Sequence, residues 1–92
     1  MTDQIPADES PLKFPCEFTI KVFGEMAPDF EQTIYELIRP LAPSLSTGAI
    51  QSRISENGKY LSLSVSLYVE SREQLDNIYR ALTSSPRVLM AL

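Results

Sequence analysis

The sequence predicts an α+β fold of the ferredoxin-like βαββαβ class, in which two helices cover one face of a four-stranded antiparallel sheet. Three observations support this prediction. Leu or Val alternates with Ser or Tyr without a break from Tyr60 to Val69, an Asn57-Gly58 turn signal stands just before this segment, and the elements follow the order strand, helix, strand, strand, helix, strand. A chain of 92 residues is long enough to form one such domain around a single core.

Residues 1–13 are predicted to be a disordered acidic tail, because they contain two prolines and three acidic side chains but few large apolar groups. The folded domain is expected to span residues 14–92. Its first strand is predicted at residues 17–23, and Gly24 is expected to end it. Alternation along this strand separates a core-facing set from an outward set: Phe18, Ile20 and Val22 against Thr19, Lys21 and Phe23.

The first helix is predicted to begin at Pro28, because proline is favoured at the first helical position. The carboxylate of Asp29 suits the positive end of the helix dipole. Pro40 and Pro43 are expected to end the helix near Arg39. Apolar residues recur at helical spacing from Phe30 onwards and define the buried side: Phe30, Ile34, Leu37, Ile38 and Leu41.

A hairpin is predicted to connect a second strand, at residues 50–56, to the long strand from Tyr60 to Val69. Asn-Gly is typical of a type I′ turn, in which both central residues have positive φ. With Asn57 and Gly58 in those positions, an opposite-charge pair closes the turn and aliphatic residues of both strands share one face. The predicted pairs are Glu56 with Lys59, Ile54 with Leu61, Ser52 with Leu63, and Ile50 with Val65.

The second helix is predicted to begin with a capping box, in which the Ser71 hydroxyl accepts from the Gln74 backbone N–H and the Gln74 side chain reaches back. Its inward residues are Leu75, Ile78, Tyr79 and Leu82. The last strand is predicted at residues 87–92. The core side of this strand is expected to carry Val88, Met90 and Leu92.

Right-handed crossovers place both helices on one face of the sheet and give the spatial strand order 4-1-3-2, with the long strand in the interior. The other face of the sheet is therefore uncovered. It is expected to be polar in the middle with aromatic residues towards its ends. The residues predicted on this open face are Thr19, Lys21, Phe23, Gln51, Arg53, Ser55, Tyr60, Ser62, Ser64, Ser66, Tyr68, Arg87 and Leu89.

Composition excludes several classes of chemistry. The chain has no histidine, so Ser-His-Asp and Cys-His arrangements and His-ligated zinc sites are impossible within it. Its one cysteine, Cys16, cannot form an internal disulfide, which agrees with a reducing compartment. The net charge of −4 argues against nucleic acid or an anionic membrane as a partner. We therefore expect a cytoplasmic protein without metal or other cofactor.

The fold alone does not determine function, and the residues of this chain do not fit several known uses of the fold. RNA-recognition domains stack bases on aromatic rings of the central strands, whereas residues 57–64 place serines there. Metal chaperones need two cysteines in the first loop, and acylphosphatase-like enzymes hold phosphate there, but this loop is acidic. We expect no enzymatic activity. Amino-acid-binding regulatory (ACT-type) domains remain. Gly24 is suitably placed for one, but a lone glycine in this position more often simply ends a strand.

Three stretches of the sequence together resemble the YbeD-like family of small bacterial proteins. They are Phe14-Pro15 with the strand from Phe18 to Gly24, the segment from Gly58 to Ser64, and the closing residues Val88, Met90 and Leu92. The likeness covers residues 12–92. The resemblance implies an ACT-like ferredoxin fold and a regulatory link to lipoate biosynthesis or protein lipoylation, and it brings no catalytic residues.

Our leading hypothesis is a non-enzymatic regulatory or protein-interaction module that works through its open sheet face, its sheet edges or the loop at Gly24. The alternative is an ACT-like domain that binds a small-molecule effector as a dimer; RNA binding is the third hypothesis. The oligomeric state is expected to be a monomer or a weak homodimer, and the sequence does not identify the partner. The candidate surface is formed by Lys21, Phe23, Gly24 and Tyr68.

Overall fold

The computed structural model describes residues 13–92, and its helices and strands follow the predicted order. The tail predicted at residues 1–13 therefore lies outside the described residues, except for Lys13. No helix in the described part combines the length and the apolar character that crossing a membrane requires. The elements are β1 (Cys16–Glu25), α1 (Phe30–Ile38), a short 3₁₀ turn (Thr47–Ala49), β2 (Ile50–Ile54), β3 (Tyr60–Val69), α2 (Arg72–Thr83) and β4 (Val88–Ala91).

The four strands form one antiparallel sheet in the order β2-β3-β1-β4, which is the predicted order read from the other edge. The ladder between β1 and β3 runs from the Cys16–Val69 pair to the Glu25–Tyr60 pair and forms the centre of the sheet. The ferredoxin-like α+β architecture is confirmed. β3 has the bounds that its alternation predicts, and its Leu and Val side chains are buried while Tyr60 and Tyr68 are exposed.

The core lies between one face of the sheet and the two helices. Burying one Leu, Ile or Val side chain contributes about 1.5–3 kcal/mol, so this layer supplies most of the stabilisation. Leu37, Leu41 and Tyr79, which were predicted to point inward, are partly buried at its margin. The fully enclosed residues include Ile20 and Val22 from β1, Leu63 and Val65 from β3, Phe30, Ile34 and Ile38 from α1, and Ile78 and Leu82 from α2.

Gly24 does not end β1, contrary to prediction; the strand continues to Glu25 because Gly24 pairs with Leu61 and Glu25 with Tyr60. Gly24 is buried on the core face. A methyl group added there would lie 2.6 Å from the Arg87 carbonyl oxygen and would overlap the Phe30 ring. Glycine within a strand is typical of such a close approach by neighbouring groups. Gly24 is therefore explained by packing.

The last strand departs from the predicted alternation because the pairing of β1 with β4 contains a bulge. Phe23 pairs with Met90, but Gly24 pairs with Val88, so Leu89 is an extra residue between them. Val88 packs against the core as predicted. The prediction was wrong for Met90 and Leu92: Met90 lies opposite Phe23, and Leu92 exchanges two backbone hydrogen bonds with Lys21, at 3.0 and 2.8 Å.

Helix α1 begins at Phe30, two residues later than predicted, and Pro28 and Asp29 lie in the turn before it. Asp29 occupies the position that caps the helix, but its side chain makes no capping hydrogen bond. Its carboxylate instead binds the guanidinium of Arg87, at the start of β4. A charge-assisted pair with a distant residue thus replaces the local cap.

The hairpin has the predicted strand register but a different turn. Ile50–Val65, Ser52–Leu63 and Ile54–Leu61 are paired as predicted. Only Gly58 has positive φ, so the type I′ turn was wrong, and the Gly58 N–H donates to the Ser55 carbonyl at 2.9 Å. The predicted Glu56–Lys59 ion pair is not formed. The Asn57 side-chain oxygen instead accepts from the Lys59 backbone N–H at 3.0 Å.

Of the two hydrogen bonds predicted for the N-terminal cap of α2, one is confirmed. The Ser71 hydroxyl accepts from the Gln74 backbone N–H at 3.1 Å. The Gln74 side chain does not return to Ser71: its oxygen accepts from the Glu70 backbone N–H at 2.7 Å, and its nitrogen donates to the Leu41 carbonyl at 2.9 Å. Gln74 therefore also ties the start of α2 to the segment that follows α1.

We predict that Gly24→Ala destabilises the protein by about 1–3 kcal/mol, because the methyl group must displace Phe30 or the Arg87 backbone in a packed core. The control is Gly48→Ala, which meets no atom within 4 Å and is expected to range from neutral to about 1 kcal/mol more stable. Urea unfolding of both variants measures the difference. Equal midpoints for the two alanine variants would contradict the packing role of Gly24.

Candidate functional site

The open face of the sheet is the surface that neither helix covers. Strand pairing arranges its side chains in rows that cross the sheet, and two rows occupy its middle. One of these rows contains Arg53, Ser62, Phe23 and Met90, and the next contains Gln51, Ser64, Lys21 and Leu92. Acidic residues stand in the end rows, where Glu25 lies beside Tyr60 and Glu17 beside Tyr68.

An apolar strip, which we define as Phe23, Met90 and Leu92, runs along β1 and β4 on the open face. Phe23 is half-buried, whereas Met90 is 50% exposed and Leu92 is 61% exposed. The bulge at Leu89 creates this strip, since without the extra residue Met90 and Leu92 would point to the core. The strip places large apolar side chains in water on an edge strand, which is typical of interaction surfaces.

Two cationic side chains lie beside the strip, and we refer to Lys21 and Arg53 as the cationic pair. Lys21 on β1 is opposite Ser64, and Arg53 on β2 is opposite Ser62, so β3 separates them. Both are exposed, and neither forms an ion pair with a carboxylate of residues 13–92. The middle of the open face therefore combines positive charge, hydroxyl groups and an apolar margin.

A shallow depression of about 280 Å³ lies on the open face at the hairpin end. Its size is close to the lower limit of small-ligand pockets, and it remains open to solvent. The lining offers apolar side chains, a guanidinium, a carboxylate and hydroxyl groups, which can bind a ligand by apolar contact, charge and hydrogen bonding. The residues that line it are Phe23, Arg53, Ile54, Ser55, Glu56, Tyr60, Leu61 and Ser62.

The structure brings together only two of the four residues predicted to form the candidate surface. Lys21 and Phe23 stand in adjacent rows in the middle of the open face. Tyr68 is 49% exposed on the same face but pairs with Glu17, roughly 20 Å from Phe23 along β1. Gly24 is buried on the opposite face and presents no surface to a partner.

Sequence reasoning missed Met90 and Leu92 as residues of the open face and placed Arg87 there instead. The last strand is apolar at each of its positions from Val88 to Leu92, so alternation does not mark which side faces the core. Arg87 turns towards α1, where it binds Asp29, and Leu89 is the bulge residue. A bulge of one residue leaves no signal in such a uniform segment.

A second polar cluster joins the start of β4 to the start of α1. The Arg87 guanidinium donates to both carboxylate oxygens of Asp29, at 2.7 and 3.1 Å, and to the Thr33 hydroxyl at 3.2 Å. It also lies over the Phe30 ring, 5.9 Å from its centroid. The hydrogen bond from Arg87 lowers the pKa of Asp29, and the same bond raises the pKa of Arg87. The cluster fixes the loop after β1.

This cluster borders the place where an ACT-type domain would hold an effector. A depression of about 370 Å³ lies there, lined by Glu25, Met26, Ala27, Pro86, Arg87 and Leu89. Arg87 already binds Asp29 and Thr33, and the space beside Gly24 is filled by Phe30.

Within residues 13–92, no three His, Cys, Asp or Glu side chains are grouped closely enough to hold a metal ion.

Comparison with known proteins gives a family and a fold. A family model described as "Protein of unknown function (DUF493)" matches residues 9–92. A UPF0250 protein from Ralstonia nicotianae is 44% identical over 91 residues, which cover 99% of this chain and 94% of that protein. A UPF0250 protein from Neisseria gonorrhoeae is 46% identical over 81 residues, covering 88% and 89%.

A solved structure supports the same architecture. The solution structure of protein HP0495 from H. pylori superposes with a TM-score of 0.69 and covers 99% of this chain and 98% of that one. The two sequences are 18% identical, so this likeness concerns the fold. It agrees with four antiparallel strands and two helices in the βαββαβ order.

We predict that Asp29→Asn lowers the thermal unfolding midpoint by a few degrees at neutral pH, because it removes the charged partner of Arg87. The pKa of Asp29 is lowered in the folded protein, so its stabilising effect is present above the usual carboxyl value of 3.8 and is lost as the pH falls through the lowered pKa. The difference between wild type and variant should therefore shrink in acid.

Thermal unfolding of both proteins, followed from about pH 7 to about pH 3, measures this dependence. Asp76→Asn is the matched control, since Asp76 pairs with Arg72 at 3.6 Å on the exposed side of one helix. We expect its effect to be smaller at each pH. A difference between wild type and Asp29→Asn that stays constant into acid would show that the carboxylate is not what stabilises this loop.

Proposed function

This chain belongs to the DUF493 family, which agrees with its resemblance to YbeD-like proteins, and we propose that it is a non-enzymatic regulatory module whose open sheet face binds another protein. The observation that carries the proposal is the apolar strip. The bulge at Leu89 turns Met90 and Leu92 away from the core and places them beside Phe23 on an uncovered face.

The gain from covering the strip gives the proposal its energetic basis. Burying an exposed Leu or Met side chain contributes up to about 1.5–3 kcal/mol, and the strip offers two of them next to a half-buried ring. A broad, flat face suits a protein surface better than a small molecule, which needs a concave site to lose most of its contact with water. The polar rows beside the strip would form the rim of the interface.

The groups that line the open face support a binding role. Hydroxyls, a guanidinium and aromatic rings recognise partners through hydrogen bonds and apolar contact. Ser62 donates only a long hydrogen bond, at 3.5 Å, to the Arg53 carbonyl. An activated serine nucleophile instead requires an adjacent base within hydrogen-bond reach. We therefore assign the serines of this face to hydration and recognition.

The regulatory part of the proposal comes from the family resemblance. It implies that the partner acts in lipoate biosynthesis or in attaching lipoate to proteins. Binding a partner protein through an uncovered sheet face requires no small ligand and no chemical step. This protein would therefore regulate its partner by being bound to it or not. Proteins recovered on this face are therefore expected to include enzymes that make or attach lipoate.

An effector-binding domain that acts as a dimer is the second candidate, favoured by the depression beside Met26 and Leu89. Its support is weaker, since packing against Phe30 accounts for Gly24 and Asp29 occupies the Arg87 guanidinium. A metabolite that raises the unfolding temperature in wild type but not in Leu89→Glu would favour this candidate. A protein that remains monomeric and unaffected by metabolites would count against it.

We predict that replacing both exposed strip residues, in the double variant Met90→Ser/Leu92→Ser, reduces partner recovery about tenfold in affinity capture from native extract. The control is Ile54→Ser. Ile54 is 56% exposed on β2, where its pairing with Leu61 places it on the helix side, although it also borders the depression at the hairpin end. Its replacement therefore removes a comparable apolar surface away from the apolar strip, at the other edge of the sheet. Bound proteins are quantified by mass spectrometry, and unfolding midpoints establish that both variants fold.

A partner that is recovered equally by wild type and Ile54→Ser but lost by the double variant would support the open face as the binding surface. Equal recovery by all three proteins would place the interaction elsewhere and contradict the proposal. Loss with Ile54→Ser alone would move the interface from the apolar strip to the hairpin end of the sheet.

A further inference from the structure

We propose that the protein segment bound by the open face is acidic, with carboxylates over the cationic pair and apolar side chains over the apolar strip. The inference rests on the proposed function, since it names the chemistry of the partner for the same face. It is carried by the position of Lys21 and Arg53 relative to Phe23, Met90 and Leu92.

The cationic pair and the apolar strip cannot be covered separately. Lys21 and Leu92 lie directly opposite each other and exchange backbone hydrogen bonds, so a surface that buries Leu92 also removes water from Lys21. Arg53 shares its row with Phe23 and Met90. Any partner that lies flat on the strip therefore reaches at least one of the two cations.

Removing water from a cation is costly unless the partner supplies an opposite charge. Neither Lys21 nor Arg53 forms an ion pair with a carboxylate of residues 13–92, although the chain carries a net charge of −4. In contrast, Arg72 pairs with Asp76 and Arg87 with Asp29. Glu56 borders the same depression as Arg53 but does not pair with it, so both cations lack a carboxylate partner among residues 13–92 and a bound segment can provide one.

The spacing of the two cations suits a short extended segment. Lys21 and Arg53 stand on either side of β3 and one row apart, which places their Cα atoms roughly 12 Å from each other. Their long side chains can converge over Ser62 and Ser64 or reach two carboxylates spaced along one segment. The serine hydroxyls between them can donate hydrogen bonds to the same carboxylates.

Two other occupants fit the face less well. A second copy of this chain presents the same two cations in the middle rows of its own open face, and its carboxylates Glu17, Glu25 and Glu56 stand towards the ends of that face. Nucleic acid would supply anionic phosphate, but only Phe23 in the apolar strip offers a ring on which a base could stack, and the net charge of −4 opposes binding.

The test is selection of random peptides displayed on phage against the full chain. We expect the selected peptides to be enriched in Asp and Glu and to contain apolar residues. Synthetic versions should bind about tenfold more weakly to Lys21→Glu/Arg53→Glu than to wild type, and binding to wild type should weaken as salt increases. Arg72→Glu/Arg80→Glu makes the same change of net charge on α2 and should leave affinity nearly unchanged.

The outcomes separate this inference from the proposed function. The inference would be overturned if the selected peptides bound Lys21→Glu/Arg53→Glu as well as wild type but lost binding to Met90→Ser/Leu92→Ser. It would also be overturned if the peptides showed no excess of acidic residues. Either result would leave the proposed function standing. If no selected peptide loses binding to either double variant, both the inference and the proposed function are overturned. If wild type is a dimer that Met90→Ser/Leu92→Ser dissociates, the occupant of the face is a second copy and not an acidic segment. If wild type binds RNA and Lys21→Glu/Arg53→Glu abolishes this binding, the occupant is RNA.

Discussion

The close approach of three elements at Gly24 is the constraint on which the rest of the structure depends. The Phe30 ring of α1 fills the space where a side chain would stand, and the Arg87 carbonyl approaches the same point from the start of β4. The bulge in the pairing of β1 with β4 occurs at this position. The Arg87 side chain then binds Asp29 before α1, so one residue holds both the strand and the helix in place. A larger residue at Gly24 would push both α1 and β4 away from β1.

The bulge links the packing of the core to the chemistry of the open face. In a regular antiparallel strand, side chains alternate between the two faces, so one extra residue reverses the face of each residue that follows it. Val88 keeps its place beside the core, while Met90 and Leu92 are transferred to the open face. The core remains closed because the helices and the central strands fill it without these two side chains. The exposed apolar strip is thus a consequence of how β4 begins.

The sequence predicts the fold where polar and apolar residues alternate, and it fails where they do not. In Tyr60–Val69 each apolar residue is followed by Ser or Tyr, so both the strand and its buried face can be predicted. Val88 to Leu92 contains no polar residue, so its face is set by the contact at Gly24, which is distant in the sequence. Asp29 was interpreted through its local helix, whereas its partner Arg87 is brought to it by folding. For the same reason Lys21 and Phe23 could be predicted as surface residues, but their neighbours Met90 and Leu92 could not.

The mixture of charge and apolar surface on the open face favours selectivity over affinity. An apolar strip alone would bind many hydrophobic surfaces, including those of unfolded chains. Because Lys21 lies directly opposite Leu92, a partner without carboxylates must bury a cation in order to reach the strip, and this cost discriminates against it. The serines between the two cations can remain hydrated in the unbound protein, so the face is compatible with water until a suitable partner arrives. The same arrangement opposes pairing between identical copies, which would bring a second set of cations without carboxylates in the middle rows.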